Sequence, residues 1–177
     1  MDGGDAVVFE VSFPQTWRPA MGLLADLPLV HLEFLSAIDR IERDLERIRR
    51  AQDDPEQLRR LTDKAANGAI RMRRDLEQFF ERERAELVPR VRRIVGGNVG
   101  EIERLVVYQR RMLHGLDHFI AALTDDEIRE DYDREHVVVL EHLFDEFVEY
   151  YDLRCEVERQ FYQTYSTILF PGGLATE

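Results

Sequence analysis

The segment Leu76-Glu77-Gln78-Phe79-Phe80-Glu81-Arg82-Glu83-Arg84-Ala85-Glu86-Leu87 decides how this chain is read. Its apolar residues fall at 76, 79, 80 and 87, the three-and-four spacing of one helix face, with polar residues between them. One turn of that face carries Glu83, an acid in line with leucine and phenylalanine. A lone carboxylate in an apolar interior costs several kcal/mol, so a helix of this pattern needs something that pairs with Glu83, binds it or protonates it. A second acid is in the same position. In the segment from Tyr151 to Tyr162 the core face is carried by Tyr151, Phe161 and Tyr162, and Glu158 lies on it four residues after Arg154.

Working outward, the periodicity predicts four long helices. The first starts at Asp26 as N-cap with Pro28 in its first turn, and its stripe is Leu27, Phe34, Ile38, Ile41, Leu45 and Ile48. Asp53-Asp54-Pro55 ends it and starts the second, over about 55–95. The second helix has Leu61, Ala65, Met72, Leu76, Phe79, Phe80, Leu87 and Ile94 on one side, and a kink is expected at Pro89. Gly96-Gly97-Asn98 breaks it. The third covers about 100–123 with Leu105, Met112, Leu113, Leu116, Ile120 and Leu123. Thr124 and Glu127 form a capping box for a short helix. The fourth runs over about 133–169 and ends before Pro171-Gly172-Gly173.

Four amphipathic helices with short connections predict an all-α, antiparallel four-helix bundle over 21–169. An extended arm over 1–20 precedes it, built on Val7-Val8-Phe9 and held out of helix by Pro14 and Pro19, and a tail follows over 170–177. The length of 177 residues fits one domain with a sizeable core. No apolar run approaches a membrane span, and the first residues lack the pattern of a secretory signal, so the expected location is cytoplasmic. The formal net charge of −12 argues against nucleic acid or an anionic membrane as partner. Residues 125–160 hold 14 acids and 4 arginines, whereas the second helix is arginine-rich, as in Arg71-Met72-Arg73-Arg74. Such runs are either solvated faces or complementary faces of two subunits. Cys155 is the single cysteine, which excludes an internal disulfide and any CxxC motif and reads as a structural thiol.

Each helix brings a polar group to its apolar stripe: His31 on the first, Glu83 on the second, Gln109 on the third, Arg154 and Glu158 on the fourth. Other histidine patterns fall off the core line. His114 and His118 have the spacing of adjacent turns but face away from Leu113, Leu116 and Ile120. His142 and Glu146 repeat an HxxxE pattern opposite Leu140, Phe144 and Phe147. His136 lies nearer the core edge but far along the helix from Glu158. No nucleophile elbow or phosphate-binding loop is present, and Cys155 has no histidine on an adjacent turn of its own helix.

The chain resembles the hemerythrin-like, or HHE, four-helix bundles over roughly residues 27–165. Leu29-Val30-His31-Leu32-Glu33-Phe34-Leu35 is similar to that family's first histidine element. The run from Phe79 to Pro89 is similar to its HxxxE element, with Phe79 on the histidine and Glu83 on the acid. Arg154-Cys155-Glu156-Val157-Glu158 is similar to its last element, with Arg154 in place of histidine and Glu158 keeping the acid. In helix three, Gln109 or Leu113 occupies the ligand turn. The resemblance implies a di-iron site and oxygen, nitric oxide or iron handling, yet Phe79 and Leu113 are not ligands and Arg154 repels a cation.

Three functions follow as expectations. The first is a non-catalytic bundle with no cofactor, acting as a regulator or assembly protein through contacts with a protein partner or itself as a homodimer. In it Arg154 bridges Glu83 and Glu158, and His31 and Gln109 complete a polar cluster that replaces the metals. The second is an altered iron site on His31, Glu83 and Glu158, with Glu86 or Tyr151 filling in. The third is an interior pocket in which Arg154 reads an anion.

Overall fold

The structure, a computed structural model, describes residues 22–51, 54–96, 100–125 and 134–169. They form four helices: α1 (Gly22–Arg50), α2 (Pro55–Val95), α3 (Gly100–Thr124) and α4 (Arg134–Leu169). The arm and the tail expected from the sequence, and the short helix after Thr124, lie outside the described residues.

The ends of α2 follow local chemistry. Asp54 is its N-cap, accepting the Gln57 N–H at 3.0 Å, and Pro55 occupies the first helical position, where no N–H is needed. At the other end Gly96 adopts a left-handed φ of 76° and donates its N–H to the Arg92 carbonyl at 3.0 Å. Pro89 lies inside α2, which continues past it to Val95. The start of α1 corrects the sequence reading. The helix begins at Gly22, so Asp26 and Pro28 fall inside it rather than at its cap. Thr124 is the last residue of α3, and its hydroxyl donates back to the Ile120 carbonyl at 2.8 Å.

One continuous core joins all four helices. It includes Ile38, Ile41 and Ile48 of α1, Met72, Leu76 and Phe80 of α2, Met112, Leu116 and Phe119 of α3, and Leu140, Phe144 and Phe147 of α4. α1 packs on α2, α2 on α3 and α3 on α4, with further contacts from α4 to α1 and α2. The α3–α4 seam is close at Gly115, where a Cβ would meet the Phe147 Cα and Cβ at 3.7 Å. Among the described residues, no helix is long and apolar enough to cross a membrane.

Several charges of the arginine-rich helix are answered within the chain. Arg73 pairs with Asp117 of α3 at 2.6 Å and with Glu77 at 2.7 Å, and Lys64 reaches the buried Asp44 of α1 at 2.7 Å. Exposed pairs such as Arg43–Asp39 and Arg50–Glu46 contribute little, because solvent screens them and two long side chains must be held in place. The core face, not these pairs, therefore sets the arrangement that carries the site.

Candidate functional site

The helix stripes bring the five polar residues of the core line to one level of the interior. Arg154 of α4 is 1% exposed, and Glu83, Gln109 and Glu158 are all buried. The arginine is the hub. Its Nη2 donates to both oxygens of Glu83, at 2.9 and 2.8 Å, and its Nη1 donates to Glu158 Oε2 one turn along α4. Glu83 Oε2 also accepts from the Gln109 side-chain amide of α3. Glu158 Oε2 lies 3.1 Å from His31 Nε2 of α1. Each helix thus supplies at least one member.

Aromatic rings surround these charges. The guanidinium lies 5.0 Å from the Phe80 ring centroid and 5.2 Å from that of Phe79, both within cation–π range. Phe79 packs edge-on to His31 with ring centroids 6.2 Å apart. On the other side of the imidazole, His31 Nδ1 is 3.1 Å from the Tyr151 hydroxyl and 3.9 Å from Cys155 Sγ.

The electrostatics follow from burial set against these partners. For Glu158, burial favours the neutral acid, but Arg154 and His31 outweigh it and hold the carboxyl at about 2. For His31, burial favours the neutral ring, but hydrogen bonds with Cys155 and Glu158 prevail and push it up to about 10. Burial raises Glu83 above the usual carboxylate range, against the opposing charge of Arg154 and with the help of Glu158. The two acids share one guanidinium, so their protons are coupled and the pair titrates as a unit. With both acids ionised, the cluster sets two cations, Arg154 and His31, against two anions.

Four buried polar atoms here keep no partner: Gln109 Oε1, Arg154 Nε, Glu158 Oε1 and the Tyr162 hydroxyl. Burial and the charges of Glu158 and Glu83 raise the Tyr162 phenol well above its ordinary range, so it stays neutral. A cavity of about 10 Å³ lies between α2 and α3, lined by Glu83, Gln109, Leu105 and Phe161 among others. That is about the least space that holds one water, and far below the few hundred Å³ of a small-molecule pocket.

The remaining sequence candidates lie elsewhere. His114 and His118 are exposed on α3 with their rings 4.0 Å apart. His142 is exposed, Glu146 accepts from the Tyr150 hydroxyl at 3.3 Å, and His136 is half-buried. Leu113 packs at the core edge, so Gln109 takes the polar position of helix three. Two features were missed from sequence. Cys155 has no histidine on an adjacent turn of its own helix, but His31 reaches it from α1, and Tyr162, read only as core, turns a hydroxyl toward the acids. Both depend on how α1 and α4 are set against each other, which helical periodicity does not encode.

No protein-family model, curated protein or solved structure matches the chain.

Proposed function

We propose that this chain is a non-catalytic, hemerythrin-like antiparallel bundle, a regulatory or assembly protein that acts through its surface, with an internal charge cluster in place of a di-iron centre. The observation that carries this reading is the place of Arg154. Its guanidinium engages both oxygens of Glu83 and one of Glu158, the acids at the positions matched to the family's bridging carboxylates. A permanently charged side chain satisfies them and repels a metal pair set between them. Phe79 adds a ring where the family has an imidazole. The residues present therefore do not fit a di-iron group, and the iron reading on His31, Glu83 and Glu158 loses Glu83 as a ligand. The small cavity also weighs against an interior organic ligand.

Action through the surface draws support from the outer face of α1, where Leu29 and Leu32 are 64% and 63% exposed and Leu35 is exposed beside them. Such an apolar row fits a protein contact, with another protein or with a second copy of this chain.

The test is protein purified after growth with iron. The expected result is no oxo-bridged di-iron absorption and full helical content after chelation. A stoichiometric two-iron spectrum overturns the reading. Sedimentation of the wild type against Leu32→Glu then reports whether the α1 face joins two copies; a monomer in both directs the search to a different protein partner.

A further inference from the structure

We infer that His31, Cys155 and Glu158 form a mononuclear site for a borderline-soft divalent cation, zinc above all, at the α1–α4 seam. One imidazole nitrogen, the thiol sulfur and one carboxylate oxygen lie within 4.8 Å of one another, and an ion bound there displaces the proton that His31 holds in the metal-free cluster together with the thiol proton, both released to solvent. In a tetrahedral zinc site with bonds of about 2.0–2.3 Å, ligand atoms stand roughly 3.3–3.7 Å apart. The 3.9 Å from Cys155 Sγ to His31 Nδ1 needs only a small contraction to meet that geometry. The mixed nitrogen, sulfur and oxygen set suits zinc and disfavours calcium and magnesium, which take oxygen donors.

A second observation is independent of the spacing. Glu158 is 3% exposed and uses only Oε2 for Arg154 and His31, while Oε1 is buried without a hydrogen bond of ordinary geometry, and the neutral Tyr162 phenol stands near the same carboxylate. The carboxylate therefore keeps lone pairs for a Lewis acid. Arg154 does not oppose a single ion here as it opposes a di-iron pair. Its charge is answered by Glu83, and a guanidinium that donates to a ligating carboxylate is an ordinary outer support of a metal site. His31 and Cys155 are each only partly buried, which gives an ion a path from solvent. The Tyr151 hydroxyl, 3.1 Å from His31 Nδ1, borders the site. Three protein ligands leave a fourth position for water or for a partner's side chain.

This inference does not rest on the proposed function, since a bundle without di-iron chemistry either does or does not hold one zinc ion. The test uses the full chain, reduced and freed of metal, titrated with Zn2+ against a chromophoric chelator. One equivalent is expected to bind, and Zn2+ is expected to slow alkylation of Cys155 at least tenfold. Co2+ should give a near-ultraviolet thiolate-to-cobalt charge-transfer band. Cys155→Ser and His31→Gln should each weaken binding at least tenfold, whereas His114→Gln with His118→Gln should leave it unchanged. The wild-type measurements decide the matter even if a variant fails to fold. Absence of stoichiometric binding, absence of the thiolate band, unprotected Cys155, or binding that vanishes with His114 and His118 each overturn the site.

Discussion

Arg154 Nη2 lies within 2.9 Å of both carboxylate oxygens of Glu83, a contact between α4 and α2 across 71 positions of sequence. The pair is fully desolvated, so its parts are interdependent: each charge is tolerable only because the other is present.

Arg154→Ala should therefore destabilise the fold by about 3–5 kcal/mol, because it strands two buried acids and opens a cavity. Urea unfolding followed by circular dichroism measures this. A stability equal to wild type contradicts the cluster.

Removing all three charges should have a different outcome. With Glu83→Leu, Arg154→Met and Glu158→Leu combined, His31 loses the carboxylate that holds its proton and reverts to the neutral ring, so no ion is left unpaired, and the chain should return to wild-type stability or exceed it by about 1–4 kcal/mol. The same urea experiment checks it, and a triple variant as weak as Arg154→Ala would mean that packing, not charge pairing, is what Arg154 supplies.

Stability should fall at both ends of the pH range. The His31 proton is held more tightly in the fold, at about 10 against an ordinary 6.5, so its contribution is complete below about 6.5 and lost as pH rises toward 10. Glu158 is shifted the other way, to about 2 from 4.5, so its contribution is complete above about 4.5 and lost as pH falls toward 2. Glu83, raised rather than lowered, offsets part of the acid limb. Thermal melts of the metal-free chain across pH should show the alkaline fall, and His31→Gln should flatten it. An alkaline limb unchanged in that variant would remove His31 as its source.

At the α3–α4 seam, Gly115→Ala should be neutral or stabilising by about 0.5–1 kcal/mol, since a Cβ there makes ordinary contacts with Phe147 while helix propensity improves. Gly115→Leu should cost about 1–3 kcal/mol, because the larger group has to displace the facing backbone. Paired thermal melts separate the two effects.

Much of this was legible in the sequence, for identifiable reasons. Asp54-Pro55 and Gly96 fix the ends of α2 because capping is local chemistry. His31, Glu83, Gln109, Arg154 and Glu158 stood out because a polar residue on an apolar stripe breaks a 3.6-residue period. The start of α1 was not legible, since Asp26 and Pro28 form a start signal that the helix overrides by one turn. The approach of His31 to Cys155 was hidden as well. Each helix reveals its own buried face, but only packing fixes how one face is set along another.

A cluster with members from all four helices also acts as a check on assembly. Sliding α4 by one turn, about 5.4 Å, would carry the guanidinium away from Glu83 and set it against leucine and phenylalanine. Misregistered or three-helix states then bear a bare charge that the correct arrangement does not, which widens the gap between the native state and its nearest competitors. Amide hydrogens flanking Glu83 and Arg154 should accordingly exchange only when the whole chain unfolds, at the rate of global opening.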